Sequence, residues 1–290
     1  MRTENPKCTS VGHIASQILR RNSAGLVSGA SSRGIYLQPE TDLTLYVTDD
    51  HFRGPLTLNI RGDRDSFYTI QTGDIATFDE GEVSFRDSSL RIQINNPMIW
   101  KPGGAPRSQR TQPTSFADTV NKARELSPDH PYLPMLETVI GSEPHPLPGL
   151  PGFSEKVIQL SKSLKTVNPS QIISQMNLIL GAGPGLTPVG DDLILGILLA
   201  GNRAKKNLNW TDDLIHFYHT LLSAAEEKTT RISWSLLNCA VQGSADERII
   251  RVLDGLIAGR KIPDTDLENL LTWGSSSGMA VLAGMMLGLA

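Results

Sequence analysis

Two adjacent aspartates, Asp191 and Asp192, follow a run of small residues, Gly181-Ala182-Gly183-Pro184-Gly185-Leu186-Thr187-Pro188-Val189-Gly190. Paired carboxylates could accept hydrogen bonds from a substrate N–H or hold a cation such as Mg²⁺. This makes Asp191 and Asp192 the candidate catalytic residues and the candidate metal ligands. Gly183, Gly185 and Gly190 lack side chains, so a ligand could approach their backbone closely. Thr187 and Pro188 predict an N-cap and a first helical residue. The apolar run Leu193–Leu199 predicts a buried helix directly behind them. Free N–H groups and the helix dipole at such a terminus favour an anion. The loop is not a P-loop, because no Gly-Lys-Ser/Thr follows, and it lacks the strand context of a dinucleotide fingerprint.

Three further polar clusters carry chemistry. In Lys228-Thr229-Thr230-Arg231-Ile232-Ser233-Trp234-Ser235, one threonine predicts a helix cap, with Ser233 on the same face. The hydroxyls of Thr229, Thr230 and Ser233, with the Arg231 guanidinium, suit a phosphate or carboxylate. Trp273-Gly274-Ser275-Ser276-Ser277-Gly278 is again a small polar loop opening an apolar helix, with Ser276, Ser277 and Gly278 as candidate contacts. Gly29-Ala30-Ser31-Ser32-Arg33-Gly34 reads first as a surface turn, from which Arg33 could reach an anion across a domain cleft. Three polar loops in one helical region predict a shared, solvent-reachable pocket. His216 and His219 lie three apart with no third ligand evident, and Cys239 reads as core.

Composition narrows the classes. The chain has 290 residues, with 27 basic and 30 acidic side chains, a net charge of -3. That balance argues against nucleic-acid or membrane-surface binding. Two cysteines, Cys8 and Cys239, make neither a disulfide framework nor a zinc cluster, so a reducing cytoplasm is expected. The apolar runs fall short of the roughly 20 residues needed to span a bilayer.

The elements that must position these groups change character along the chain. Val11–Arg20 predicts a short amphipathic helix. Short β-type runs follow at Ile35–Leu37, Leu43–Val47, Leu56–Ile60, Phe67–Ile70, Val83–Phe85 and Leu90–Ile94. Helical periodicity begins at Phe153 and continues through predicted helices at Asp212–Glu227, Thr230–Val241, Ala245–Ala258, Asp264–Leu271 and Ser276–Leu289. The fold class expected is α+β: a small N-terminal β-barrel or sandwich, then a mainly helical C-terminal domain. The expected boundaries are a β-rich domain over 1–112, a proline-rich connection over 113–152, and a helical domain over 153–290 that carries the Gly-rich loop. Gly196, Gly201, Gly284 and Gly288 in apolar helices predict closely crossing helices.

Gly185-Leu186-Thr187-Pro188-Val189-Gly190-Asp191-Asp192 resembles the Gly-Leu-Thr-Pro-x-Gly-Asp-Asp signature of a bacterial family of domains of unknown function. Some members of that family are assigned as the third subunit of oxamate carbamoyltransferase, in anaerobic allantoin degradation, a branch of purine catabolism. Thr229-Thr230 with Ser233, and Trp273–Gly278, resemble its second and third patterns. In the third, Ser275 stands where the family usually has a histidine, and Met279-Ala280 stand where an acid often follows.

The resemblance implies carbamoyl transfer between carbamoyl phosphate and oxamate, reversibly giving oxalurate and phosphate, with other carbamoyltransferase subunits as partners. Preorganised donors would stabilise the tetrahedral intermediate, and holding two substrates side by side would supply much of the rate. Two other classes fit the residues. One is a non-catalytic subunit that binds a ligand or completes an assembly. The other is a stand-alone enzyme acting on another small carboxylate or phosphate ester.

Overall fold

A computed structural model describes residues 5–31, 33–40, 42–61, 64–79, 81–106, 113–141, 143–166, 168–204 and 214–290. The chain forms two compact units, Met1–Pro102 and Gly103–Ala290.

The first unit is a barrel. Its strands are β1 (Lys7–Gly12), β2 (Ala24–Ser31), β3 (Gly34–Gln38), β4 (Leu45–Thr48), β5 (Thr57–Arg61), β6 (Ile75–Asp79), β7 (Glu82–Phe85), β8 (Arg91–Gln93) and β9 (Met98–Trp100), with helix α1 (His13–Arg21) after β1. The sheet runs β5-β4-β3-β2-β6-β7-β8-β1, and β1 pairs antiparallel with β5 to close it. That closure decides for a barrel over a sandwich, because it leaves neither β1 nor β5 as a free edge. Strand β9 runs parallel to the end of β1. Val27, Ile35, Leu37, Leu45, Val47, Leu58, Val83 and Ile92 fill the interior. Phe67–Ile70 is not a strand. Arg64–Thr69 is a 3₁₀ turn, whose three-residue period puts Phe67 and Ile70 on one buried side and leaves Tyr68 exposed.

The second unit is helical among its described residues: α2 (Pro113–Leu126), α3 (Leu133–Val139), α4 (Phe153–Thr166), α5 (Pro169–Asn177), α6 (Val189–Arg203), α7 (Leu214–Lys228), α8 (Arg231–Ala240), α9 (Glu247–Ile257), α10 (Asp264–Leu271) and α11 (Ser277–Leu289). The expected start of the α7 helix at Asp212 lies outside the described residues. The proline-rich stretch supplies α2 and α3 to this unit. Tyr132, Leu133, Met135, Leu136, Leu147 and Leu150 join its core.

Helices α6 and α11 are almost wholly buried and form the centre of the unit. They cross with little between them. A Cβ on Gly196 would lie 2.3 Å from the Val281 carbonyl oxygen, and one on Gly284 2.0 Å from that of Leu193. The interior glycines therefore serve close backbone contact, as their helix-opposing composition predicts. No helix among the described residues is long and apolar enough to cross a membrane.

Candidate functional site

The Gly-rich loop is set by tight backbone contacts at its two ends. Gly181 has φ +73°, and a Cβ there would meet the Lys228 carbonyl oxygen at 2.4 Å. Only glycine serves both conditions. At the other end the Gly190 N–H donates to the Ala182 carbonyl at 2.9 Å, and a Cβ on Gly190 would sit 1.8 Å from the Ile179 carbonyl oxygen. The loop is thus folded onto the end of α5 and the start of α6. Among the described residues, Gly183, Gly185, Leu186 and Thr187 form no backbone–backbone hydrogen bond.

Thr187 does not cap α6. Pro188 is the N-cap residue, and α6 begins at Val189. The Thr187 hydroxyl instead lies 3.0 Å from that of Ser277, ninety positions away, at the first residue of α11. At the start of α8, Thr230 is the cap: its Oγ1 accepts the Ser233 N–H at 3.0 Å. The same hydroxyl donates to the Leu186 carbonyl at 2.5 Å. Thr229 donates to Asp191 Oδ2. These contacts draw the N-termini of α6, α8 and α11 together. The three sequence clusters at Gly181–Asp192, Lys228–Ser233 and Trp273–Gly278 form one constellation.

The two aspartates lie beneath it. Each is only 1% exposed. The pair is therefore not on a solvent-reachable surface, contrary to the open pocket expected from sequence. Asp191 is fully engaged: Oδ1 accepts the Gly181 N–H at 2.7 Å, and Oδ2 takes the Thr229 hydroxyl. Burial raises its pKa, and these donors oppose the rise. Asp192 stands well above the usual carboxylate range because of burial, with the nearby Asp191 charge adding to it. The Ser277 and Thr187 hydroxyls oppose that rise, while Oδ2 has no hydrogen-bond partner. Ser233 faces Asp191, yet its Oγ, also buried, forms no hydrogen bond. No Lys or Arg contributes to either carboxylate. The compensating positive charge is that of the converging helix dipoles, each equivalent to about half an elementary charge.

Other expected contacts fall in several places. Gly183, Gly185 and Thr187 are at least partly exposed, as are Thr229, Thr230 and Arg231. Ser276, Ser277 and Gly278 are buried, and a Cβ on Gly278 would lie 1.8 Å from the Leu270 carbonyl oxygen. Arg231 lies over the Trp234 ring, 4.0 Å from its centroid, and pairs with Glu226 at 3.1 Å. Trp234 falls within the cluster read from sequence and Gly181 heads the Gly-rich run, but no contact was assigned to either of them or to Glu226. The aromatic three positions after Arg231 was the available signal for Trp234.

Arg33 belongs to the barrel unit, in the turn between β2 and β3. Its carbonyl accepts the Tyr46 and Thr48 hydroxyls at 3.0 and 2.9 Å. Its neighbour Ser32 lies outside the described residues. Cys239 is core, and His216 and His219 are exposed.

The aspartate pair does not suit Mg²⁺. Both Asp191 oxygens are already taken by donors, which leaves Asp192 alone to offer oxygen, short of the octahedral set that Mg²⁺ demands. No group of three or more His, Cys, Asp or Glu side chains among the described residues is arranged to hold a metal.

No curated protein and no solved structure matches the chain. Residues 179–289, from the end of α5 through α11, match the sequence model of a family described as oxamate carbamoyltransferase subunit AllH. The match covers all three clusters and none of the barrel, and over this stretch the chain is similar to that family.

Proposed function

We propose that this chain is a subunit of an oxamate carbamoyltransferase and that it binds a small anion where α6, α8 and α11 begin. The observation that carries the reading is the meeting of three helix N-termini, stitched by Thr187–Ser277, Thr230–Leu186 and Thr229–Asp191. Aligned dipoles and bare N–H groups recognise a phosphate or carboxylate without a basic side chain. Gly183, Gly185, Leu186 and Thr187 offer N–H groups not used within the backbone. Arg231, held on Trp234 and paired with Glu226, stands at the α8 terminus.

Carbamoyl phosphate, oxamate and oxalurate are all small anions of this kind. In the transfer reaction the oxamate nitrogen attacks the carbamoyl carbon and gives up a proton, the carbon–oxygen bond to phosphate breaks, and phosphate leaves with that proton. Fixed N–H donors would stabilise charge on the intermediate. Asp191 is a positioning residue in this reading. It holds Gly181 and Thr229, and so fixes the loop against the α7–α8 junction.

The test is calorimetric titration of the purified chain with inorganic phosphate, oxamate and carbamoyl phosphate, followed by transfer assays with the other subunits. Binding of at least one anion is expected, with a stability gain of about 2.7 kcal/mol at a hundredfold excess over Kd. A Thr187→Val, Ser277→Ala double variant should bind it more weakly. Absence of anion binding, both alone and in the complete complex, would overturn the reading.

A further inference from the structure

Two buried polar atoms in this constellation have no partner: Asp192 Oδ2, on a side chain 1% exposed, and Ser233 Oγ, on one 2% exposed. Leaving such atoms unpaired costs roughly 1–3 kcal/mol each, so they call for an explanation. They sit at the starts of α6 and α8, beside the loop Gly183–Thr187. That loop forms no backbone–backbone hydrogen bond of its own. Two side-chain contacts hold it: the Thr230 hydroxyl to the Leu186 carbonyl, and Thr187 to Ser277. The Leu186 side chain is 57% exposed, so packing adds little to hold the loop shut.

The chemistry of the two atoms is complementary. A carboxyl oxygen accepts a guest N–H, and that bond favours the ionised form that burial disfavours, while a hydroxyl donates. A primary amide or ureido group needs such a pair, an acceptor for its N–H and a donor for its carbonyl oxygen. A carboxylate of the same shape would set oxygen against Asp192. A site built around a buried hydrogen-bonding group rejects an isostere that cannot satisfy it.

We propose that Asp192 and Ser233 form an amide-recognising subsite and that Gly183–Thr187 is the lid that lifts to admit the amide end of the bound anion. The proposal rests on the anion-binding reading above and assigns an orientation: the anionic end meets the helix N-termini, and the amide end meets Asp192 Oδ2 and Ser233 Oγ.

Asp192→Asn makes a sharp test. The Thr187 and Ser277 hydroxyls face Asp192, and Oδ2 is an oxygen without a partner. Asn replaces one of the two carboxyl oxygens by an NH₂ donor and removes the charge, in a side chain of the same shape. The full chain and its variants are titrated with oxamate, oxalate and inorganic phosphate.

The wild type should prefer oxamate over oxalate by at least tenfold. Asp192→Asn should lose or invert that preference, while phosphate affinity changes less than threefold. Ser233→Ala, the second variant if Asp192→Asn does not fold, should weaken oxamate tenfold with phosphate unaffected. In hydrogen exchange, the amides of Gly183, Gly185, Leu186 and Thr187 should be slowed at least tenfold by oxamate. Phosphate binding with an oxamate-to-oxalate ratio unchanged in both variants overturns the subsite and leaves the anion reading standing. Exchange in the loop that oxamate does not alter overturns the lid. A wild type that binds none of the three anions overturns both this proposal and the reading on which it rests.

Discussion

The two units each bury a polar network, and the networks differ in kind. In the barrel the hub is Asn59. Its Oδ1 accepts the Ser10 and Thr57 hydroxyls at 3.0 Å each, and its Nδ2 donates to the Asp50 and Phe52 carbonyls at 2.9 and 2.7 Å. Every polar atom of that side chain is used, and no ionised side chain takes part. In the helical unit the hubs are carboxylates. Asp191 is satisfied, but Asp192 and Ser233 each keep an atom without a partner. A neutral, closed network fixes register and rigidifies a fold. A charged network left partly open is costly for stability alone, and in the proposed reading it is where a guest completes the bonding.

Substitutions break or sharpen this contrast. The largest effect is expected where backbone meets backbone. Gly190→Ala or Gly278→Ala places a methyl 1.8 Å from a carbonyl oxygen. Either should destabilise the helical unit by about 3 kcal/mol, measured by urea denaturation. Asn59→Ala should destabilise the barrel by about 2 kcal/mol, because Ser10, Thr57 and two carbonyls lose their partner. Anion affinity per folded molecule should not change. A loss of affinity without unfolding would erase the distinction between a structural and a functional network.

Thr230→Val removes a cap and the tie to Leu186. It should cost about 1 kcal/mol and speed hydrogen exchange in the loop.

The smallest effect is a slope. Burial holds Asp192 above its unfolded value of 3.8, so the folded chain keeps this proton more strongly than the unfolded chain does. The stability this contributes is present below pH 3.8 and is lost as pH rises through the folded-state pKa. Asp192→Asn cannot titrate. Its unfolding free energy should therefore fall less steeply than the wild type's as pH rises through that window. Equal slopes would show that Asp192 does not titrate differently on folding.

Much of the helical unit was legible because its signals are local. The helices predicted at Thr230–Val241 and Ser276–Leu289 are found as α8 and α11 to within one residue, and α10 spans the residues its pattern predicts. The barrel was less legible. Strands β2 and β6 were missed because Gly25, Gly29 and Gly73 interrupt the alternation, and they are held by pairing with each other. The Phe67–Ile70 run has strand composition, but the turn that packs Phe67 inward overrode it.

For the site, the residue types and three clusters were readable, since glycines, hydroxyls and acids at helix starts carry their chemistry in their identity. Their depth was not. The same acid pair reads identically whether water or a threonine hydroxyl meets it.

The order of β-rich and helical halves, the threonine cap of α8 and the chemistry of the three loops were determined by the sequence itself, because propensity and periodicity act over a few neighbouring residues. Only the tertiary structure decided that β1 closes onto β5, that Thr187 leaves its own helix for Ser277, and that both aspartates lie out of contact with water. Those outcomes depend on which distant surfaces pack together. The burial that sets a carboxylate's charge and partners belongs to that packing, and no local pattern encodes it.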